Sequence, residues 1–123
     1  MKKNIVNIAT FLINVQTIEG VVETMNRIAV LIDGYSETVA TYFDGLYKYI
    51  DSNDRAFQPL TEEEEWRVKR LGARLILSPR PCNAVTVLVK LHYLLKWNGG
   101  DEMMIELSDN LWDKTDFTID DLI

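Results

Sequence analysis

Apolar side chains recur through the first fifty residues at steps that alternate between three and four. This register is typical of an apolar stripe along one side of a helix, because an α-helix has about 3.6 residues per turn. Of its thirteen positions only Ser36 is polar. The positions are Ile8, Phe11, Val15, Ile18, Val22, Met25, Ala29, Ile32, Ser36, Val39, Phe43, Leu46 and Ile50. The pattern predicts a long helical region over residues 1–50, either as one helix or broken near Gly20 or Gly34.

A second row of large residues repeats every seven positions beside this stripe. Its members are Val21, Ile28, Tyr35, Tyr42 and Tyr49. The combined face is wider than the seam of a two-stranded coiled coil, which favours a bundle or a globular helical core. We expect the three tyrosines at the margin of the face, with buried rings and hydroxyls in water. They are predicted protein-binding residues, and the width of the face leaves room for a symmetric homodimer.

Two core helices are predicted downstream, over residues 61–77 and 83–97. Thr61 and Glu64 have the spacing of a capping box, in which each side chain accepts from a backbone N–H of the other residue. Residues 83–97 are apolar almost all round, with Asn83 as a candidate cap, so we expect this helix to be the most buried. The valines at 85, 87 and 89 alternate along the chain, a pattern that is also compatible with a β-strand in this segment.

These elements together predict an all-α fold, a single-domain helical bundle over residues 1–123. The chain of 123 residues is long enough for one hydrophobic core. It has no apolar run of the roughly 20 residues that a membrane-spanning helix needs, so no membrane association is predicted. Beyond the core helices, residues 101–123 form an acidic C-terminal tail.

Charge is distributed unevenly around a net value of −6. Residues 66–96 hold seven basic residues and no acidic one, whereas residues 101–123 hold eight acidic residues and one basic one. Acidic segments with spaced aromatic residues often dock into basic, apolar grooves, either on their own domain or on a partner. The predicted protein-binding residues of the tail are Asp109, Trp112, Asp113, Asp116 and Phe117.

The basic band at residues 66–96 offers an alternative, a nucleic-acid interface masked by the acidic tail. Cationic side chains would contact phosphates, and a tryptophan would stack on a base. The candidates are Trp66, Arg67, Lys69, Arg70 and Arg74. The overall acidity argues against this alternative, because dedicated nucleic-acid binders usually carry a basic excess.

The run from Ile28 to Gly34 reads IAVLIDG. It resembles the first strand of nuclease domains of the NYN and PIN-like class, in which an aspartate at the strand end helps to hold a divalent metal. The resemblance covers seven residues and implies that role for Asp33. The later aspartate motifs of that class are missing here, and the three-four register continues through the run, which favours a helix.

No catalytic, cofactor or metal site is predicted from the remaining chemistry. His92 is the single histidine and is expected to be a core residue with its hydrogen bonds satisfied. Cys82 is the single cysteine, so it forms no disulfide within the chain and fits a reducing, cytoplasmic setting. The predicted function is a non-enzymatic protein-binding or regulatory module: a small inhibitor, adaptor or assembly subunit. Phages and mobile elements often encode such chains to block host machinery, an inference from class alone.

Overall fold

The computed structural model describes residues 2–77 and 83–95, which form five α-helices. They are α1 (Lys2–Asn14), α2 (Ile18–Val30), α3 (Glu37–Ser52), α4 (Glu62–Leu77) and α5 (Ala84–Leu95). No regular strand occurs within these ranges, where the single β-bridge joins Thr17 to Pro59. The all-α prediction is confirmed, and the long N-terminal region consists of three helices rather than one or two.

The first break in that region follows α1 and is stabilised by Thr17. This residue has an extended backbone, and its Oγ1 accepts a hydrogen bond from the Gly20 N–H at 3.2 Å. The Gln16 carbonyl accepts from the Leu60 N–H at 3.0 Å, which ties the break to the segment before α4. The break therefore precedes Gly20, because a threonine that satisfies an N-terminal N–H starts the next helix.

The second break, between α2 and α3, is centred on Gly34. This residue has φ of +90°, a conformation that side chains with a Cβ rarely adopt. Ser36 then caps α3 by accepting from the Val39 N–H at 3.4 Å. The Asp33 carbonyl accepts from the Ala84 N–H at 3.0 Å, so the same turn also holds the start of α5.

The predicted apolar stripe is largely buried inside this single chain. Nine of its thirteen positions are buried: Ile18, Val22, Met25, Ala29, Ile32, Val39, Phe43, Leu46 and Ile50. The prediction is wrong for Phe11, which is exposed, while its neighbour Leu12 is fully buried. The phase shifts because the break at Thr17 lets α1 rotate, so that it packs through Ala9 and Leu12.

Helix α4 covers α1 at very close range. A Cβ on Gly72 would lie 3.2 Å from the Ala9 carbonyl oxygen and 3.2 Å from the Leu12 Cβ. The two helices run in opposite directions, because Leu60 lies beside Gln16 and Gly72 lies beside Ala9. The absence of a side chain at position 72 therefore sets how closely the two helices approach.

Helix α5 fills the centre of the bundle and contacts α2, α3 and α4. Seven of the eleven α5 residues whose burial the structure describes are buried: Ala84, Thr86, Val87, Leu88, Val89, Leu91 and Leu94. The expectation of a central, most buried helix is confirmed, and the strand alternative at residues 85–89 is wrong. Asn83 starts the helix by accepting from the Thr86 N–H at 2.8 Å.

Candidate protein-binding surface

The outward side of α4 carries a line of residues that we call the α4 outer stripe: Trp66, Arg70, Ala73 and Leu77. Their spacing of four, three and four places them on one face of the helix. Trp66 is 58% exposed and Leu77 is 79% exposed, although both are large apolar residues. The opposite face of α4 supplies the core residues Val68, Leu71 and Leu75. Helix α4 is therefore apolar on two sides, and only the inner side is covered by the described residues.

Trp66 and Leu77 stand about 16 Å apart along the helix axis, from eleven residues at a rise of 1.5 Å each. Between them, the guanidinium carbon of Arg70 lies 5.3 Å from the centre of the Trp66 ring. A cation over an indole face contributes about 0.5–1 kcal/mol at an exposed site. The stripe thus presents two apolar anchors with a cation held between them.

Basic residues line one edge of the stripe. Arg67, Arg70 and Arg74 follow one another at steps of three and four, so they lie on adjoining turns. Arg67 donates to Glu63 at 2.7 Å, and on the other edge Lys69 donates to Glu65 at 2.9 Å. Such exposed pairs contribute about 0–1 kcal/mol each. Their main effect here is to neutralise two of the cations assigned to the nucleic-acid alternative.

The start of α4 is fixed by a compact set of hydrogen bonds, and the predicted capping box is confirmed. The Thr61 N–H donates to Glu64 Oε1 at 3.0 Å, and the Glu64 N–H donates to Thr61 Oγ1 at 3.1 Å. Arg55, from the loop after α3, donates to the second carboxylate oxygen of Glu64 at 2.8 Å. Glu64 therefore anchors both the helix and the preceding loop, which holds the outer stripe in place.

The three tyrosines predicted to share one margin lie in different environments. Tyr35 is 36% exposed, and its hydroxyl donates to Asn26 Oδ1 at 3.3 Å. Tyr49 is half-buried. The prediction of a wet hydroxyl is wrong for Tyr42, which is 1% exposed. Its hydroxyl lies 2.6 Å from His92 Nδ1, so a side chain of the same molecule takes the place of water as its hydrogen-bond partner.

His92 is half-buried on α5 and hydrogen-bonded to Tyr42 on α3, which confirms the expectation of a satisfied histidine. The two residues are fifty positions apart, and no local motif indicates the pairing. The sequence therefore identified the histidine's role but not its partner. A buried polar pair of this kind holds the two helices in one register, because either group would be costly to leave unpaired.

The polar contact between Tyr47 on α3 and Asn26 on α2 was not identified from the sequence. Burial raises the pKa of the Tyr47 hydroxyl above its ordinary value of 10.0, because the charged phenolate would lose water. The hydrogen bond with Asn26 opposes this rise, while the negative charges of Glu23 and Glu19 add to it. Tyr47 is thus held in its neutral form at the flank of the bundle.

Asp33, the residue singled out by the nuclease resemblance, lies exposed in the turn after α2. Residues Ile28 to Val30 belong to that helix, so the strand that the resemblance implies is not formed. In the described ranges no cluster of three or more histidine, cysteine, aspartate or glutamate side chains could hold a metal ion. Asp33 contributes to the fold through its backbone carbonyl, which accepts a hydrogen bond from the Ala84 N–H at the start of α5.

Several predicted residues lie outside the described part of the chain. They are Cys82 and the tail residues Asp109, Trp112, Asp113, Asp116 and Phe117. Among the helices that the structure does describe, none has the length and apolar character needed to cross a membrane. Comparisons with protein-family models, curated proteins and solved structures give no match for this chain.

Proposed function

We propose that the protein is a non-enzymatic protein-binding module, and that it docks an acidic, apolar segment of another protein on the α4 outer stripe. The observation that carries the proposal is the exposure of Trp66 and Leu77 on one fixed helix. Exposed apolar residues grouped on one face, with a polar rim, often mark interaction sites, and tryptophan and arginine are enriched among the residues that dominate binding energy. A partner of this kind would bury both anchors at once.

The basic edge of the stripe supports an acidic partner. Carboxylates beside Arg70 would gain from its positive charge without disturbing the ion pair between Arg67 and Glu63. A second copy of α4 fits this surface less well. Two-fold antiparallel pairing about the middle of the stripe would bring the arginines of one edge together, and like charges repel. A homodimer through another surface stays a prediction.

Docking of phosphates is the weaker candidate. Four glutamates at the start of α4 balance the four basic residues that follow them, so the helix has no net charge. Phosphate binding depends on a concentrated excess of cations, and the two ion pairs reduce that excess. A module of the proposed kind would act as an inhibitor, adaptor or assembly subunit, in the cytoplasmic setting predicted from its single cysteine.

The proposal is tested by affinity capture from an extract of the native host. The protein is immobilised as wild type, as a Trp66→Ser/Leu77→Ser double variant, and as a Phe57→Ser variant. Phe57 is as exposed as Leu77, at 79%, but lies in the loop before α4, so it controls for a general loss of apolar surface. We expect a stoichiometric protein partner whose recovery falls at least about tenfold in the double variant and stays unchanged in the control.

Circular dichroism and urea unfolding of each variant check that the fold is retained. Retention of nucleic acid instead of protein, with binding lost steeply as salt rises, would favour the alternative function. Capture that is equal in the wild type and in the double variant would remove the outer stripe from consideration.

A further inference from the structure

We propose that α1 and α2 also join into one continuous helix, and that the freed α1 then packs on α4 and α2 of a second copy of this chain. The product is a domain-swapped homodimer, in which two copies exchange an identical element. The swap stands independently of the proposed function. Only its consequence, a pair of outer stripes on one assembly, rests on that function.

The sequence supports a continuous helix across the first break. Apolar residues around the break follow one another at steps of four, three and four: Phe11, Val15, Ile18 and Val22. In an unbroken helix this spacing places them on one side. The break interrupts that side, because Ile18 and Val22 are buried whereas Phe11 is 67% exposed. A straight form of the helix explains both the unbroken register and the exposed phenylalanine.

The backbone of the first break does not oppose straightening. None of the three residues between α1 and α2 is glycine or proline, and positive φ in the described part of the chain occurs at Gly34 and Asp54 alone. Sharp interruptions of a helix usually depend on glycine or proline. The break at Gly34 is of that kind, whereas Thr17 needs only an extended conformation and a capping hydrogen bond. Ordinary backbone rotations therefore convert the first break into helix.

The contacts of α1 make it an exchangeable element. It is the first helix, and it packs mainly on α4 and α2. A second copy offers the same two surfaces, so Ala9 and Leu12 would meet the same surroundings at Gly72 in the dimer. The exchange therefore keeps the packing of α1 and changes only the hinge, which is why swapping is a low-cost route to a dimer.

The hinge balances the two forms. The closed form is stabilised by the Thr17 cap and by the hydrogen bond from the Leu60 N–H to the Gln16 carbonyl. Straightening gives up both, while residues 15–17 gain helical hydrogen bonds and Phe11 gains a contact beside the hinge of the second copy. A continuous helix over residues 2–30 is about 43 Å long, which carries α1 clear of its own bundle.

The dimer would present two outer stripes, because the swap uses only the inner side of α4. A partner with two docking segments would then bind the dimer more tightly than the monomer, since its second contact is made within one assembly. Short hinge loops such as the one at residues 15–17 favour this kind of exchange, and longer ones suppress it.

A double variant at the first break tests the hinge: Thr17→Ala/Gly20→Ala. Alanine at position 17 removes the cap of α2. A Cβ at position 20 would lie 3.0 Å from Val15 Cγ1 in the closed form. In a continuous helix these two positions lie roughly 140° apart around the axis, so the clash disappears. Both substitutions therefore disfavour the closed hinge.

The matched control makes the same changes at the second break: Ser36→Ala/Gly45→Ala. It also removes a cap and a helical glycine, but it leaves Gly34 with its positive φ, which opposes a continuous helix there. Circular dichroism and urea unfolding check that both variants are folded. The control therefore separates straightening of the first hinge from a general loss of stability.

Sedimentation equilibrium over about a hundredfold range of protein concentration measures the association constant of each variant. We expect this constant to rise at least about tenfold in the test variant, because each dimer contains two hinges and both lose a cap, and to stay unchanged in the control. Inserting two glycines after Gln16 in the test variant should restore the monomer, since the longer hinge no longer forms helix. A test variant that associates no more than the control would overturn the proposal.

A disulfide bond identifies which copy supplies the α1 that lies on α4. In a Cys82→Ser background, Leu12→Cys and Gly72→Cys introduce the only two cysteines. A Cβ at position 72 would lie 3.2 Å from the Leu12 Cβ, close to the roughly 3.5–4.5 Å of disulfide bonds. Diamide oxidation of the isolated dimer should give covalent dimers on a non-reducing denaturing gel. Covalent monomers from that fraction would show that the copies associate without exchange, which overturns the inference.

Partner capture with the hinge variants separates this inference from the proposed function. A swapped dimer that captures no partner keeps the swap and removes the proposed function. Capture that depends on Trp66 and Leu77, by a chain that stays monomeric in every hinge variant, keeps the proposed function and removes the swap.

Discussion

Helices α4 and α5 lie side by side and use apolar residues in opposite ways. Most of the apolar side chains that the structure describes on α5 are buried, because α2, α3 and α4 pack around the helix. Helix α4 has a similar apolar line on its outward side, with Trp66 and Leu77 exposed. Apolar content alone therefore does not distinguish a fully packed helix from one with an exposed apolar side. What distinguishes them is whether the fold covers the apolar face.

The charges of the two helices explain how an uncovered face is tolerated. Helix α4 carries four glutamates and four basic residues, most of them beside the stripe, whereas the ionisable side chains of α5 among the described residues are Lys90 and His92. A charged rim keeps an exposed apolar patch small and limits nonspecific association. Helix α4 therefore has the composition of a helix with one exposed side, and α5 has that of an interior helix.

The sharpest test of this contrast compares Leu88→Ala in α5 with Leu77→Ala in α4. Leu88 is fully buried, so its truncation should lower the free energy of unfolding by about 2–5 kcal/mol through lost burial and a cavity. Leu77 is exposed, so the same substitution should change stability by less than about 0.5 kcal/mol. Urea unfolding measures both. Equal losses in the two variants would mean that the outer stripe is part of a core.

The inner and outer sides of α4 are compared by Gly72→Val and Ala73→Val. A valine at position 72 would overlap the Ala9 carbonyl and Leu12 and should cost about 1–3 kcal/mol as α1 is pushed away. Ala73 faces outward, and its replacement should cost only the difference in helix propensity, a few tenths of a kcal/mol. Thermal unfolding checks the order. A stable Gly72→Val protein would contradict the close approach of α1 and α4.

A smaller effect is expected where α5 meets α3. Tyr42→Phe removes the hydroxyl that contacts His92 Nδ1 and should lower the free energy of unfolding by about 1 kcal/mol. Tyr35→Phe removes an exposed hydroxyl at a longer distance from Asn26 and should have little effect. Denaturant titration at pH 7.5 distinguishes them. If both variants match the wild type, the Tyr42–His92 contact does not stabilise the interior.

The smallest effect is expected at Tyr47, whose side chain is half-buried, between the buried residues of α5 and the exposed residues of α4. Its pKa is raised in the folded state, so its contribution to stability is complete below about pH 10 and is lost as the pH rises from there toward the folded pKa. The free energy of unfolding should therefore fall less steeply above pH 10 in a Tyr47→Phe variant. Parallel alkaline slopes for the two proteins would show that Tyr47 is not desolvated.

The parts of the fold that depend on neighbours in sequence could be predicted. The stripe through α2 and α3 and the Thr61–Glu64 cap follow from helical spacing and local hydrogen bonds, and both are present. The phase of α1 could not be predicted. It is set by packing on α4, sixty residues later, and this packing exposes Phe11 and buries Leu12.

The candidate surface was predicted only in pieces. Trp66, Arg70 and their neighbours were identified as basic-band residues, but Leu77 was assigned to a core helix without regard to its side. The spacing from Trp66 to Leu77 was visible in the sequence. Its meaning was not, because α4 carries apolar residues on two faces and only tertiary packing decides which one is covered.

The packing of α1 on α4 has a consequence for synthesis. Residue 62 emerges from the ribosome sixty residues after residue 2, a delay of about 3–12 seconds at ordinary elongation rates. During that interval α2 and α3 have both been synthesised and can pack on each other, whereas α1 lacks the helix against which Ala9 packs. The nascent chain can therefore pack its first helix on α2, but the side of α1 that faces α4 stays uncovered until the fourth helix is made, and this interval is when chaperone protection of the N-terminus would matter most.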